Sequence, residues 1–133
     1  MSPSPETLMK YLLMLKNNGI RDQRVLHAME LIPRDPFATG AFIDRAYEDT
    51  ALPIASGQTL SQPSIVGKMT QALNAGPRDK VLEIGTGTGF QAAVLSQLAR
   101  RVYTVERFAK LAQTANRTLN DLGLVDVTVI TGD

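Results

Sequence analysis

The sequence of 133 residues contains no cysteine and a single histidine. The absence of cysteine excludes disulfide bonds, thiolate metal sites and a cysteine nucleophile. Its 14 basic and 13 acidic side chains leave a formal net charge of +1, so the composition gives no electrostatic reason to expect nucleic acid or an anionic membrane as a partner. We therefore predict no metal site and neither of these partners.

Long apolar runs are also missing. No stretch reaches the roughly 20 apolar residues that a membrane-spanning helix needs. The N-terminus does not carry a basic segment followed by an apolar one, which is the pattern of a secretory signal. We therefore expect a cytoplasmic protein. With 44% hydrophobic and 20% charged residues, the chain can bury one core.

Strand-like and helix-like segments alternate in the second half of the chain. The expected elements are a strand at 80–84, a helix at about 88–99, a strand at 101–105, a helix at about 108–122 and a strand at 126–131. Alternation at these lengths is typical of right-handed βαβ crossovers. The sequence therefore predicts an α/β fold with a parallel sheet.

The first half is predicted to be helical, with one irregular segment. A helix is expected between Ser4-Pro5-Glu6 and Asn18-Gly19, and a second from about Asp22 to Leu31. Between Pro33 and Pro63 we expect turns, a short helix and a hairpin. A long irregular stretch inside a compact domain is usually functional.

A third helix is expected after Pro63. Ile65, Val66, Met69 and Leu73 follow it at helical spacing. We interpret Met69 as a core-filling residue, since its flexible side chain suits irregular gaps.

The most informative segment is residues 81–90, Val-Leu-Glu-Ile-Gly-Thr-Gly-Thr-Gly-Phe, which joins an apolar strand to a helix. Glycine permits positive φ and leaves no Cβ between the backbone and a ligand. A dinucleotide-binding G-x-G-x-x-G would have its third glycine at position 90, where Phe90 stands. The turn therefore suits a ligand smaller than a dinucleotide. The alternative is that these glycines only shape a turn after a strand, as in any α/β protein.

Two later strand ends also carry acids. Glu106 follows the strand at 101–105 and lies 21 positions after Gly85. A carboxylate there can accept hydrogen bonds from both hydroxyls of a ribose. The alternative is an acid placed at a helix N-terminus, where the helix dipole favours it. Asp133 follows the last strand, so three strand ends are expected to converge on one ligand crevice.

The acid-x-G-x-G-x-G pattern of Glu83 to Gly89 resembles the first motif of class I S-adenosylmethionine (SAM) dependent methyltransferases. The resemblance implies that the turn passes under the methionine part of SAM, with Glu83 near its ammonium group and Asp133 beside the adenine amino group. The implied cofactor-binding residues are Glu83, Gly85, Thr86, Gly87, Thr88, Gly89, Glu106, Arg107 and Asp133.

Residues 45–68 closely resemble the segment that precedes the SAM fold in the protein-L-isoaspartate O-methyltransferase family. The element Gly-Gln-Thr-x-Ser-x-Pro at 57–63, taken together with the glycine loop, is highly specific. The resemblance covers nearly the whole chain and includes these segments: Pro33-Arg34 before Phe37, Ala46-Tyr47-Glu48-Asp49, Leu52-Pro53-Ile54, Tyr103-Thr104-Val105-Glu106-Arg107 and Gly132-Asp133. Phe90 stands where relatives often have tyrosine, and Leu60 where many have isoleucine.

This second resemblance implies repair of aged proteins. SAM methylates the free α-carboxylate of an L-isoaspartyl residue and leaves S-adenosyl-L-homocysteine (SAH), the ester collapses to a succinimide, and hydrolysis returns some normal aspartate. The unperturbed pKa of an α-carboxylate is about 3.3–3.7, so the nucleophile is ionised at neutral pH and needs no base. Catalysis then depends on placement, which can contribute up to roughly 7–11 kcal/mol in ideal cases.

The resemblance also implies the roles of single residues. Ser61 is the expected catalytic residue, with its hydroxyl steering the substrate carboxylate, and Thr59 is the second candidate. On spacing alone, Ser61 is equally well explained as a helix N-cap ahead of Pro63. The expected substrate-binding segment spans about residues 45–63. Its implied groove residues are Pro53, Ile54, Ala55, Ser56 and Gly57, with Gln58 assisting.

Relatives in this family continue beyond the position of Asp133 with further strands and helices. We therefore expect residues 1–76 to form a helical N-terminal extension, and 77–133 to form the first half of a Rossmann-like SAM-binding domain. The resemblance implies the usual methyltransferase order of these three strands, in which the second lies between the third and the first. The first strand, at 80–84, is then an uncovered edge. Such an edge invites pairing with another chain, so we expect dimerisation, segment exchange or aggregation.

Methyl transfer by this chain alone is expected to be weak or absent. Two other functions stay open at this point. One is a SAM-dependent methyltransferase that acts on a small molecule or RNA. The other is a non-catalytic nucleotide-binding or dinucleotide oxidoreductase domain, which Phe90 disfavours.

Overall fold

A computed structural model describes residues 3–133. The chain forms an α/β fold, and its helices and strands follow the predicted order. They are α1 (Pro5–Asn17), α2 (Gln23–Leu31), β1 (Leu52–Pro53), β2 (Thr59–Leu60), α3 (Pro63–Leu73), β3 (Lys80–Ile84), α4 (Phe90–Ser96), β4 (Arg101–Glu106), α5 (Ala109–Asp121) and β5 (Val127–Thr131). Three short 3₁₀ turns lie in the irregular segment, at Asp35–Phe37, Gly40–Arg45 and Ala55–Gly57.

The main sheet is parallel, with β4 between β3 and β5. Val102 of β4 lies opposite Val81 on one side and Val127 on the other. Val102 and Thr104 lie on the same face of β4 and are fully buried, whereas Tyr103 and Val105 on its other face are partly buried. The predicted order of the three strands is confirmed, and the helices α4 and α5 form the two crossovers.

Helix α4 is shorter than the predicted range of about 88–99. Gly89 has a φ of 96°, a left-handed conformation that ends the glycine loop and prevents an earlier helix start. After Ser96, the amides of Gln97 and Leu98 donate to carbonyls only three residues back. That pattern is tighter than an α-helix and typical of a terminating turn.

A single cluster of buried apolar side chains extends from α1 to β5. Helices α1, α2 and α3 pack on one another, and α2 also packs on α4. Leu15, Ile20 and Met29 are fully buried in the helical part, while Ala92 and Val94 are fully buried in α4. The division of the chain at residue 76 stays a prediction, and the core is continuous across it.

The irregular segment contains the expected hairpin. Strands β1 and β2 pair antiparallel, with Leu52 opposite Leu60. The Ile54 amide donates to the Gln58 carbonyl at 3.0 Å. Ser56 at the tip has a φ of 60°, which is an uncommon conformation for a residue other than glycine. The hairpin leads directly into α3.

One face of the molecule is apolar and open. Met69 and Leu73 of α3 are 64% and 53% exposed, and Leu82 and Ile84 of β3 are 64% and 76% exposed. The interpretation of Met69 as a core residue is therefore wrong. Its face of α3 lies beside β3, which pairs on one side only among the residues that the structure describes. None of the helices within residues 3–133 is long and apolar enough to cross a membrane.

Gly67 allows α3 to pack closely on the segment between α1 and α2. A Cβ at position 67 would lie 2.7 Å from Cγ1 of the buried Ile20. Although alanine favours helices more than glycine does, we expect Gly67→Ala to lower the free energy of unfolding by about 1–3 kcal/mol, because overpacking a core forces side chains off their rotamers.

The measurement is urea unfolding followed by circular dichroism. Gly76→Ala is the control, since a Cβ there would approach only the Asp79 carboxylate, at 3.6 Å. An unfolding midpoint for Gly67→Ala at or above that of the unmodified chain would contradict the close contact.

Candidate active site at the carboxyl edge of the sheet

The candidate site lies where the three parallel strands end, and the β1–β2 hairpin lies beside it. Thr59 and Ser61 share one cleft with Glu83, Gly85 and Gly87. We call it the serine cleft. Two segments that are more than 20 residues apart in sequence thus meet at one place, as the resemblance implied.

A second depression adjoins the first at Gly85. It is lined by the ends of β3, β4 and β5 together with Gln58 from the hairpin, and we call it the strand-end crevice. Glu106, Arg107 and Asp133 line it. The expected convergence of three strand ends is therefore present in the fold.

The glycine loop takes its shape from β4 and α5. The amides of Gly85 and Thr86 both donate to the Val105 carbonyl, at 2.8 and 3.2 Å. Gly85 has a φ of 93°, which places its backbone in a conformation that side chains disfavour. A Cβ on Gly89 would lie 3.3 Å from Leu119 of α5, so this glycine is needed for close packing.

Glu83 is the end of a short hydrogen-bond chain whose middle member is Thr104. The Thr104 hydroxyl donates to Glu83 Oε1 at 2.6 Å, and the Thr86 and Thr104 hydroxyls are also 2.6 Å apart. Burial raises the pKa of Glu83 to about 7; the Thr104 hydrogen bond opposes this rise and the negative charge of Glu106 adds to it. Glu83 has no cationic partner within the described residues, so it is prepared to receive one.

Glu106 connects the glycine loop to the start of α5. Its Oε1 accepts from the Gly87 amide at 2.9 Å, and its Oε2 accepts from the Phe108 amide at 3.0 Å. These contacts match the helix N-terminus alternative, since Phe108 is the N-cap of α5. Each oxygen keeps a second lone pair, so ribose binding by Glu106 stays a prediction. The Arg107 guanidinium lies over the Phe108 ring, 4.7 Å from its centroid.

Ser61 is not the N-cap of α3. That position is occupied by Gln62, whose side chain makes no capping hydrogen bond. Asp49 caps the helix from a distance, because its Oδ1 accepts from the Ser64 amide at 2.9 Å and its Oδ2 from Gln62 Nε2 at 3.2 Å. The N-cap alternative for Ser61 is therefore wrong, and its exposed hydroxyl is left for the serine cleft.

The electrostatics of Asp49 agree with this capping role. Burial alone would raise the pKa of Asp49, but hydrogen bonds from the Ser64 amide and the Gln62 side chain outweigh it and hold the pKa below its usual range. The ionised form is the better acceptor at a helix N-terminus. Sequence spacing gave no sign of this role, since Asp49 lies 15 positions before Ser64.

The six predicted groove residues all lie on the hairpin, but they do not line one common groove. Gln58 lines the strand-end crevice. Ile54 and Ala55 line an apolar pocket on the other side of the glycine loop, together with Phe37 and Leu111. The remaining three predicted groove residues are exposed on the hairpin: Pro53, Ser56 and Gly57.

The fold matches solved methyltransferases. A solved protein-L-isoaspartate O-methyltransferase superposes with a TM-score of 0.85 at 32% identity, over 95% of this chain and 42% of that one. A protein-L-isoaspartate O-methyltransferase structure from Plasmodium falciparum, in complex with SAH, has a TM-score of 0.75 over 92% of this chain and 62% of that one; at 20% identity it supports the fold alone. The fold is that of the class I SAM-dependent methyltransferases.

The sequence narrows this class to one family. The family model of protein-L-isoaspartate(D-aspartate) O-methyltransferase (PCMT) matches residues 6–133. The protein-L-isoaspartate O-methyltransferase of Dinoroseobacter shibae is 59% identical over 133 residues. The chain belongs to the protein-L-isoaspartate(D-aspartate) O-methyltransferase family, and it spans 62% of the length of that relative.

The raised pKa of Glu83 predicts a pH-dependent difference between the native chain and Glu83→Gln. Below pH 4.5, the ordinary pKa of a glutamate, the Glu83 carboxyl is neutral and its contribution to the stability of the fold is fully present. This contribution is lost as pH rises through about 7, because the buried carboxyl must then ionise. Glutamine stays neutral throughout. The free energy of unfolding of Glu83→Gln, taken relative to that of the native chain, is therefore expected to be higher at pH 8 than at pH 4 by on the order of 2 kcal/mol.

Urea unfolding of both proteins across this pH range measures the difference, and contributions from titrating groups that do not interact with Glu83 cancel in it. Glu6→Gln serves as the control, because Glu6 is an exposed glutamate in α1 that forms no ion pair among the described residues. Parallel stability curves for the native chain and Glu83→Gln would contradict the assignment.

Proposed function

We propose that this chain forms the SAM-binding and substrate-orienting part of an enzyme that methylates the free α-carboxylate of L-isoaspartyl residues. The products are a methyl ester and SAH, and the biological outcome is repair of damaged proteins and peptides. One observation carries the proposal: Ser61 and Thr59 share a cleft with Glu83 and the glycine loop, in a chain of this family.

The residues of the site fit SAM. Glu83 is a partly buried carboxyl without a cationic partner in the part of the chain that the structure describes, and the methionine part of SAM carries an ammonium group. Gly85 and Gly87 have open space where a Cβ would be, so a ligand can approach their backbone. Glu106 and Asp133 line the adjoining crevice, where hydroxyl and amino groups of a nucleoside find acceptors. The proposed cofactor set is completed by Thr86, Thr88, Gly89 and Arg107.

Bound SAM would supply an electrophilic methyl group on a cationic sulfur. The chain's own task is then to bind and orient the second substrate. Ser61 donates a hydrogen bond to the isoaspartyl α-carboxylate, and Thr59 is the second donor. No base is required, because the carboxylate is already ionised at neutral pH. Orientation of the two reactants and exclusion of water are the main contributions to rate.

The hairpin is the proposed peptide-binding segment. Its tip has exposed backbone groups, which can receive an extended peptide by main-chain hydrogen bonds. The proposed groove residues are Pro53, Ile54, Ala55, Ser56, Gly57 and Gln58. A cytoplasmic location and the absence of a nucleic-acid partner belong to the same proposal; the net charge of +1 supports the second of these.

Ligand binding and methyl transfer test the proposal. We expect the chain to bind SAH more tightly than NAD in calorimetric titrations. Transfer of tritiated methyl groups from SAM to an isoaspartyl peptide by residues 1–133 alone is expected to be weak or absent, because these residues span 62% of the length of the Dinoroseobacter shibae relative. The corresponding aspartyl peptide is the control. Tighter binding of NAD, or turnover on both peptides alike, would contradict the proposed function.

The role of Ser61 is tested in a form extended to the full length of the relatives. There, Ser61→Ala is expected to lower kcat on the order of 10- to 100-fold, since a small misplacement of a reactant has effects of this size. Ser96→Ala, at the end of α4 and remote from the cleft, is the matched serine control. A transfer rate unchanged by Ser61→Ala in a folded protein would remove Ser61 from the mechanism.

We also propose that the open edge of β3 pairs with a second copy of this chain. The edge strand exposes Leu82 and Ile84 beside Met69 and Leu73, and an apolar unpaired edge is a site for strand addition. Light scattering at micromolar concentrations is expected to detect dimers or larger species, and Ile84→Lys is expected to shift them towards monomer. Met9→Lys is the control, because Met9 is 71% exposed but belongs to α1 and not to the sheet. A stable monomer of the unmodified chain would contradict the proposal.

A further inference from the structure

Arg34 is a fully buried arginine that forms no ion pair with a carboxylate of the described residues 3–133. Its exposed fraction is 0%, and none of the ion pairs among the described residues includes it. Its Nη2 atom is buried, and no group within residues 3–133 forms a hydrogen bond with it. Burial lowers the pKa of its guanidinium. A buried charge of this kind is costly for folding, so stability alone does not explain the arginine.

The Arg34 side chain spans three parts of the structure. Its Nε donates to the Ala46 carbonyl at 2.8 Å, and its Nη1 donates to the Ser61 carbonyl at 3.2 Å. Its guanidinium carbon lies 4.5 Å from the centroid of the Phe90 ring. A planar guanidinium can make two directed hydrogen bonds and a stacking contact at the same time.

Two of these three contacts are made to residues that line the serine cleft and belong to different segments of the chain. Ser61 lies on the hairpin side, and Phe90 directly follows the glycine loop as the first residue of α4. Both residues line the cleft, and Arg34 holds both from the protein interior. The Arg34 amide also donates to the Tyr47 hydroxyl at 3.1 Å, which ties the backbone of residue 34 to the same segment as Ala46.

We infer that Arg34 is a positioning residue that sets the separation between Ser61 and the glycine loop. It acts through these residues and does not itself meet the ligand. The meaning of that separation rests on the proposed function, in which the Ser61 hydroxyl must hold the substrate carboxylate in line with the methyl group of SAM. The physical claim about Arg34 stands on the contacts alone and is testable without any ligand.

Two substitutions separate positioning from general stability. Arg34→Lys keeps the positive charge, but one ammonium group cannot reach two carbonyls and cover an aromatic ring. Arg34→Met fills the space with an apolar side chain and removes the costly buried charge. The matched control is Arg24→Lys, because Arg24 also donates to a backbone carbonyl, that of Ala75 at 3.1 Å, in a part of the fold away from the cleft.

Backbone ¹⁵N relaxation of the ligand-free proteins is the primary measurement. In the native chain we expect order parameters of about 0.85 for the amides of residues 60–62, and in both Arg34 variants a fall below about 0.6. Amides of α1 and α2 are expected to stay rigid in all proteins, and Arg24→Lys is expected to leave residues 60–62 unchanged. Arg34→Met is expected to unfold at a temperature no lower than Arg34→Lys.

A second readout measures SAH binding. We expect both Arg34 variants to bind SAH about tenfold more weakly than the native chain, which corresponds to 1.4 kcal/mol, while Arg24→Lys binds it normally. Residues 60–62 that stay rigid in both Arg34 variants would overturn the inference, as would mobility that rises equally in α1 and α2. Failure of the native chain to bind SAH would instead count against the proposed function, since the relaxation data do not depend on a ligand.

Discussion

Strand β4 is hydrogen-bonded on both sides, to β3 and to β5, and this pairing decides where the three strands end relative to one another. Because the strands are parallel, their carboxyl ends lie at the same edge of the sheet. Glu83 of β3 and Glu106 of β4 therefore lie at this edge on neighbouring strands. The Val105 carbonyl continues the pattern by accepting from the first two amides of the glycine loop. The shape of that loop is therefore an extension of the sheet.

The two glutamates at this edge have different environments and different chemical properties. Glu106 is satisfied by two backbone amides, one from the glycine loop and one from the start of α5. Within residues 3–133, Glu83 accepts a side-chain hydrogen bond from the Thr104 hydroxyl alone, and its pKa is raised to about 7. An ammonium group near Glu83 would reverse the effect of burial, so a cationic ligand and the ionised carboxylate stabilise each other.

In the irregular segment between α2 and α3, different residues cap α3 and anchor Ser61. Asp49 caps α3, and this frees Ser61 from a role that its position before Pro63 would otherwise suggest. Arg34 then holds the Ser61 carbonyl from the interior. A serine with an anchored backbone and an unengaged hydroxyl is suited to orienting a substrate. The long irregular segment is thus organised by buried polar contacts, where a helix or a strand would use its own backbone hydrogen bonds.

Much of the fold could be predicted from local patterns, because helix spacing, strand alternation and glycine at positive φ are properties of short segments. The positions of α1, α5 and β3 to β5 follow from such patterns to within a residue or two. The end of α4 does not, since it depends on how a terminating turn packs. The exposure of Met69 could not be predicted either, because an apolar face is buried only where another element covers it.

The sequence by itself determined the family, since the family is encoded in motifs of a few adjacent positions, and the family in turn supplied the expected order of the strands and the candidate site residues. The tertiary structure alone decided what those residues do for one another: Asp49 at the start of α3, Thr104 on Glu83, and Arg34 between Ser61 and Phe90. The physical reason is that each of these contacts joins groups 15 or more positions apart, and only the packed chain brings such groups within hydrogen-bonding or stacking distance.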